Sequence, residues 1–232
     1  MSITYFPNFV QGSDEWRDAR CGLITASEMK LLVTPTLKKA SNDKERAHLW
    51  ELLSQRITRF VEPSYVNDDM LRGWADEIEA RALYAERYAA VNEVGFITND
   101  KWGFTLGYSP DGLVGDNGLI ECKSRRQKYQ VQTLVEHVRR ATVPDDYIMQ
   151  IQTGLLVSER EWCDFVSYCG GLHMAVIRMW PDDKIQAAIL EAAAEFEVKL
   201  AAKLDEYLSI VELAPGARLV PTERRVEQEI VV

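Results

Sequence analysis

The order of elements readable in this chain, with helices first, then short strands, then helix, strands and a long terminal helix, predicts a mixed α/β fold with a central mixed β-sheet flanked by helices. Three features carry the prediction. Between residues 71 and 89, Leu71, Trp74, Ala75, Ile78, Ala82, Ala85 and Ala89 recur with helical period. Between residues 94 and 123, short apolar or alternating runs are separated by Gly, Asn and Asp, as in strands joined by turns. Two further strand-like runs, 162–168 and 174–179, precede a helical pattern from about 181 to 208.

The first third reads as helical. Thr25 with Glu28 three positions on is a capping-box pattern, predicting a helix from 26 to about 32. Residues 34–43, with Pro35 and the Lys38-Lys39 pair, read as a loop before a second helix at 44–60. Strands are expected at 94–98, 104–108, 112–114 and 119–123, with Asp116-Asn117-Gly118 as a hairpin signal. Helices at 129–139 and 147–157 are separated by a break at Pro144. With 232 residues, 47% of them hydrophobic, the chain can bury one substantial core. Residues 1–210 read as a single domain, and 211–232, with Pro215, Gly216 and Pro221, as a C-terminal tail or contact arm.

Composition narrows the function classes. No apolar run approaches the ~20 residues of a bilayer span, and the N-terminus lacks signal-peptide features, so a soluble, cytoplasmic protein is expected. Cys21, Cys122, Cys163 and Cys169 form no C-x-x-C pair, and His48, His137 and His173 have no ligand spacing, which argues against zinc chemistry and a disulfide framework. The formal charge of -9 argues against nonspecific coating of nucleic acid, whose binding is driven by phosphate neutralisation. Any nucleic-acid contact must therefore be concentrated on a restricted basic surface.

The chemistry-bearing stretch is Ser109-Pro110-Asp111-Gly112 followed by Leu119-Ile120-Glu121-Cys122-Lys123. Phosphodiester hydrolysis calls for a hard cation that polarises the phosphate and acidifies a water, and carboxylates such as Asp111 and Glu121 are its preferred ligands. Strand alternation puts Glu121 and Lys123 on one side and Cys122 on the other, so an ammonium stands beside the carboxylate where it can serve the water and stabilise developing charge. The Cys122 backbone carbonyl remains within reach of the metal. The turn at 116–118 brings Asp111 alongside. This is the PD-(D/E)xK pattern of a restriction-endonuclease-like core, although proline-Asp-Gly and E-x-K are each ordinary turn and strand sequences when taken alone.

Upstream and downstream blocks add context. Trp16-Arg17-Asp18-Ala19-Arg20-Cys21-Gly22-Leu23-Ile24-Thr25-Ala26-Ser27-Glu28, Gly73-Trp74-Ala75-Asp76-Glu77 and Tyr147-Ile148-Met149-Gln150-Ile151-Gln152 flank the central motif. In this order the four blocks resemble the phage lambda exonuclease family of viral recombination nucleases, with its W-x-x-x-R-x-G-x-I-T-A-S-E, G-x-x-x-E and Y-x-x-Q-x-Q motifs. The resemblance runs from Trp16 to about Val157; the C-terminal tail carries nothing over.

The resemblance implies an Mg²⁺-dependent 5′-to-3′ exonuclease on double-stranded DNA ends, with Mn²⁺ able to substitute, releasing 5′-mononucleotides and leaving a 3′ single strand for annealing. Asp111, Glu121 and the Cys122 carbonyl would hold the metal, Glu77 would complete the acidic site and Lys123 would serve the water. Arg20, Ser27, Ser109 and Gln152 would grip the 5′-phosphate, a role suited to the planar fork of Arg20 and to Ser27 near a helix N-terminus. A homotrimeric ring, a single-strand annealing protein as partner and a phage or prophage origin in a bacterial host cell are also implied.

Each residue has a plainer alternative. Helical periodicity does not single out Glu77, Arg20 could pair with Asp14, Glu15 or Glu28, and Trp16 and Trp74 read as core. Met70 and Leu71, ahead of Glu77, could act as an apolar wedge at the duplex end. The rival functions are a structure-specific or restriction-type endonuclease of the same superfamily and an inactive DNA-end-binding protein.

Overall fold

Strand β6 (Gly118–Ser124) is the centre around which the elements are ordered. Its sequence Gly-Leu-Ile-Glu-Cys-Lys-Ser is buried over its first five residues, because both faces of the sheet are covered. The computed structural model describes residues 2–63, 67–213 and 218–224. In chain order these form β1 (Ile3–Phe6), α1 (Asp14–Arg20), β2 (Ile24–Thr25), α2 (Asp43–Thr58), α3 (Asp68–Arg87), β3 (Phe96–Asn99), β4 (Leu106–Tyr108), β5 (Gly112–Val114), β6, α4 (Gln127–Gln132), α5 (Asp145–Ser158), β7 (Trp162–Tyr168), β8 (Ala175–Met179) and α6 (Asp183–Leu213).

The fold is mixed α/β as expected, and the strands among the described residues divide into two mixed sheets of four. One has the order β1-β3-β4-β2 and the other β5-β6-β7-β8. In the first, β2 runs parallel to β4; in the second, β7 runs parallel to β6, while the other neighbours are antiparallel. The division falls at Ser109-Pro110-Asp111, where proline has no N–H to continue a ladder. β1 and β2 lie in the stretch read as helical. They are too short and too little alternating to announce themselves against the capping pattern beside them.

That capping pattern forms differently from the expectation. Residues Ala26–Leu31 make a 3₁₀ turn rather than an α-helix, and the Thr25 side chain makes no backbone cap. Its hydroxyl instead donates to the Glu28 carboxylate at 2.7 Å. Helices α1, α2 and α3 do use side-chain caps: Ser13, Asn42 and Asn67 accept backbone N–H groups of their first turns.

Helix α3 corrects a second expectation. Its apolar stripe faces outward: Leu71, Trp74 and Ile78 are exposed, so Trp74 is not core. The buried face carries Ala80 and Tyr84, with Asp76, Glu77 and Arg81 half-buried. The second sheet explains the choice by offering polar partners to the helix's polar shoulder. Ser124 donates to Asp76, Arg81 to the Asp111 carbonyl at 3.1 Å, Tyr84 to Asp164 at 2.6 Å and Tyr168 to Glu79. Tyr84 and Ala80 then close a small core with Ile120, Cys122 and Val166.

The larger core lies on the opposite face, where Leu119, Cys163 and Phe165 of the second sheet meet Ile151 and Leu155 of α5, with α2 and α6 outside. Each such fully buried side chain contributes about 1.5–3 kcal/mol. The bidentate Arg56–Glu197 pair, at 2.7 and 2.6 Å, fastens α2 to α6. The helix expected at 129–139 is present as α4 continued by a π turn, Thr133–His137, and a 3₁₀ turn, Val138–Arg140. α6 runs beyond 208 to Leu213. Of the expected tail, Pro215 and Gly216 lie outside the described residues, while Pro221 is exposed and Arg224 lies 3.7 Å over the Phe60 ring.

Candidate active site

The hairpin between β5 and β6 sets the geometry. Gly112 pairs with Ile120, Leu113 with Leu119 and Val114 with Gly118, the turn being eased by Gly115 at φ +53°. One step further along that register, Asp111 stands opposite Glu121. Asp111 Oδ2 accepts the Cys122 backbone N–H at 2.6 Å. Two carboxylates ten positions apart are thereby brought to one point at the seam between the sheets.

Glu121 is fully buried and accepts three hydrogen bonds. Lys123 Nζ donates to Oε1 at 2.6 Å, Gln150 Nε2 donates to the same oxygen, and the Tyr108 hydroxyl donates to Oε2 at 2.9 Å. A carboxylate offers about four lone-pair positions, so one is left on Oε2. Lys123 and Glu121 share a face as strand alternation requires, while Cys122 turns into the small core under α3. Burial alone would lower the Lys123 ammonium, but Glu121 and Asp111 outweigh it and hold it above its ordinary value. Burial and the neighbouring Glu121 push the Asp111 carboxyl well above the carboxylate range.

Glu77 approaches from α3. Arg81 donates to Glu77 Oε1 at 3.3 Å and to the Asp111 carbonyl, and reaches Glu93 at 3.5 Å. Burial raises the Glu77 carboxyl, with Arg81 and Lys123 acting against it. Glu77, Cys122 and Lys123 line a cleft of about 910 Å³ together with Trp74, Arg125 and Tyr129.

No three His, Cys, Asp or Glu groups among the described residues are gathered closely enough to hold an ion by themselves. The donor set fits a hard divalent cation in another way. Asp111 and Glu121 are buried like charges balanced by one close ammonium, Glu121 keeps a free lone pair, and Asp111 Oδ1 makes no hydrogen bond among the described residues. The Cys122 carbonyl adds a neutral oxygen of the kind Mg²⁺ accepts.

Beside this pair lies a second cluster. Ser109 Oγ accepts from Trp16 Nε1 at 2.9 Å and from Arg20 Nη1 at 3.3 Å, which leaves its own proton free to point outward. Arg20 Nη2 donates to Thr25 Oγ1 at 3.2 Å, and Ser27 Oγ lies 3.3 Å from the same hydroxyl. The guanidinium is 4.3 Å over the Trp16 ring and makes no ion pair among the described residues. Burial depresses it, opposed only by the charge of Glu28. Thus Arg20, Ser27 and Ser109 come together, and the Asp14 and Glu15 pairings do not form.

Gln152 is elsewhere. It is buried, donates to the Trp180 carbonyl at 2.8 Å and accepts the Asp182 N–H at 2.9 Å. Gln150, about 200° away around the helix, is the glutamine that meets Glu121. Sequence reasoning missed Gln150, Tyr108, Arg81 and Thr25 at the site. The i, i+4 spacing of Glu77 and Arg81 was the available signal for one of them. The six-residue 3₁₀ turn is also too short to give Ser27 the helix-dipole advantage expected of it.

Comparison with known proteins agrees with the fold. Residues 15–161 match the YqaJ-like viral recombinase domain. The crystal structure of an alkaline exonuclease, LHK-Exo, from Laribacter hongkongensis superposes with a TM-score of 0.73 at 34% identity, covering 85% of this chain and 96% of that one. The same enzyme in complex with dAMP gives 0.73 at 36% identity with the same coverage. A phage related exonuclease from Haemophilus somnus 129PT shares the fold, with a TM-score of 0.54 at 12% identity over 78% of this chain and 96% of that one. The search of curated proteins gives no match. With the family match spanning well over half of its residues, the chain belongs to the YqaJ-like viral recombinase family, the lambda exonuclease-like group.

Proposed function

We propose that this phage-type exonuclease is divalent-metal-dependent, removes 5′-mononucleotides from linear duplex DNA in the 5′-to-3′ direction and leaves a 3′ single strand for annealing. Its exonuclease character follows from the family and from the identity to the alkaline exonuclease over nearly all of that chain. The observation that carries the metal-dependent reading is the convergence of Asp111 and Glu121 at the sheet seam, with Lys123 2.6 Å from Glu121.

The residues then divide the work. Asp111, Glu121 and the Cys122 carbonyl would hold the ion, with Glu77 completing the acidic site. Bound Mg²⁺, or Mn²⁺ in its place, supplies the Lewis acid for the scissile phosphate and an acidified water. Tyr108 and Gln150 fix the orientation of Glu121. Lys123, held protonated by its carboxylate neighbours, orients the attacking water and stabilises the negative charge that grows on the phosphate. Arg20, Ser27 and Ser109 receive the 5′-phosphate of the strand being degraded, because Arg20 is a half-buried cation that makes no direct ion pair among the described residues and Ser109 has a proton to give. Gln152 is left with a packing role between α5 and α6.

A homotrimeric ring threaded on DNA, a single-strand annealing protein as partner and a bacterial host cytoplasm complete the proposal. A ring would let a chain of charge -9 gather its basic residues on an inner, DNA-facing surface. No helix among the described residues is long and apolar enough to cross a membrane.

The deciding experiment uses linear duplexes labelled on either strand, with 5′-phosphate or 5′-hydroxyl ends, in Mg²⁺ or EDTA, beside covalently closed circles. Mononucleotide release from the 5′-ended strand, dependent on Mg²⁺ and faster with the phosphate, is expected, with circles left intact. Cleavage in EDTA would remove the metal site, release from the 3′ end would reverse the direction, and nicking of circles would make the chain an endonuclease.

A further inference from the structure

Thr25 is the node of the terminal-phosphate cluster, and what fixes Thr25 lies outside that cluster. Its hydroxyl carries one proton and two lone pairs. The proton goes to Glu28 Oε2, 2.7 Å away, so both lone pairs are presented to Arg20 Nη2 at 3.2 Å and Ser27 Oγ at 3.3 Å. Without Glu28 the hydroxyl would be free to rotate its proton toward the guanidinium, where a donor would face a donor. Arg20 would then lose one of the two bonds that aim its fork, the other being to Ser109.

Glu28 has a buried ring beside it on α2. The His48 ring, 2% exposed and stacked on Phe196 at 5.8 Å, puts Nε2 3.9 Å from the same Glu28 oxygen, and that nitrogen is buried without a hydrogen-bond partner among the described residues. Its other nitrogen lies 3.2 Å from Glu51 Oε2. A line of contacts thus runs from α2 through His48 and Glu28 to Thr25 and Arg20. No hydrogen bond or ion pair among the described residues joins Glu28 to Asp111, Glu121 or Lys123.

We propose that Glu28, backed by His48, is a positioning residue for the terminal-phosphate pocket: it makes Thr25 an acceptor toward Arg20 and Ser27 and so sets the guanidinium to receive a 5′-phosphate. The inference rests on the proposed role of Arg20, Ser27 and Ser109.

The test compares kcat and KM on matched linear duplexes with 5′-phosphate and 5′-hydroxyl ends for the parent, Glu28→Ala, Thr25→Val, Thr25→Ser and, as the reference for a lost pocket, Arg20→Ala. In Glu28→Ala and Thr25→Val the ratio of kcat/KM for phosphate over hydroxyl ends is expected to fall about ten-fold toward that of Arg20→Ala, the equivalent of about 1.4 kcal/mol, mainly through KM on the phosphate end. Thr25→Ser, which keeps the hydroxyl, should restore the ratio, a recovery that a purely structural role would not give. Valine matches threonine in shape, so Thr25→Val against Thr25→Ser reads the role of the hydroxyl, and Glu28→Met, which keeps the length of the side chain but cannot accept the Thr25 proton, reads the role of Glu28 even if Glu28→Ala does not fold: it should match Thr25→Val, and a parent-like ratio would overturn the proposal. A parent-like ratio in Thr25→Val would overturn the positioning role and leave the pocket standing. A parent that digests both ends equally would remove the pocket, and the positioning role with it.

Discussion

The Tyr108 hydroxyl donates to Glu121 Oε2 across 2.9 Å, and this bond ties β4 of one sheet to β6 of the other. Gly154 on α5 makes the approach possible: a Cβ there would lie 2.7 Å from the Tyr108 ring, a distance real side chains do not tolerate. The ring is fully buried, so it has little room to yield. Gly154→Ala is therefore expected to displace Tyr108 and lower activity and stability together. Tyr108→Phe should leave packing intact while removing one donor from a buried carboxylate, a loss of about 1–3 kcal/mol. Urea unfolding of the two variants, read beside turnover, checks this. Parent-like turnover in both would show that the orientation of Glu121 does not depend on Tyr108.

Removal of the reacting groups gives a sharper outcome. Asp111→Ala and Lys123→Ala are each expected to reduce cleavage at least 10²–10³-fold, the order found for loss of one group that stabilises transition-state charge. DNA-end binding, measured by gel shift in Ca²⁺, should persist, since Arg20, Ser27 and Ser109 are untouched. Lys123→Ala removes the one ammonium beside Glu121, so it is also expected to weaken activation by low Mg²⁺ less than Asp111→Ala does. Parent-like digestion by both variants would overturn the assignment.

Acid–base behaviour of the metal-free protein follows from the raised carboxyls. Burial and Glu121 lift Asp111, and burial lifts Glu77, with Lys123 opposing in both cases. A group whose folded pKa exceeds its unfolded value favours the fold below the unfolded value, about 4 for a carboxyl, and that contribution is lost as pH rises through the folded value. In EDTA, the melting temperature of Asp111→Asn minus that of the parent should therefore grow as pH rises from about 4 toward neutrality. Mg²⁺ should shrink the difference by supplying counter-charge to the parent alone. A difference that stays flat with pH would mean that Asp111 titrates as an ordinary carboxyl in the fold.

Several parts of this arrangement were legible in the residues. The hairpin placing Asp111 against Glu121 follows from turn chemistry at 116–118, and the shared face of Glu121 and Lys123 follows from strand alternation. The long strand at Trp162–Tyr168 is legible from composition alone. What composition hides is competition between partners. The outward face of α3 was chosen by Ser124, Asp164 and the Asp111 carbonyl, which are distant in sequence and satisfy polar groups that periodicity assigns to solvent. The split between the sheets is visible only as a proline, and β1 pairs with β3 some ninety residues away, beyond the reach of local patterns.

Gln150 and Gln152 provide the last separation of site from scaffold. Two positions apart on α5, they point to opposite sides, Gln150 to Glu121 and Gln152 to the Trp180 carbonyl and Asp182 N–H at the start of α6. Asp182 in turn accepts the N–H groups of Lys184 and Ile185, so Gln152 anchors the cap that starts the helix. Gln152→Ala should remove the partner of two part-buried backbone groups and cost about 1 kcal/mol of stability, with turnover per folded molecule little changed. Gln150→Ala should do the reverse, leaving the melting temperature near that of the parent while lowering kcat by about ten-fold, the equivalent of 1.4 kcal/mol at the barrier. Denaturation and single-turnover rates on the same preparations separate the two effects. Exchange of these phenotypes would place Gln152 at the reacting centre and make Gln150 part of the scaffold.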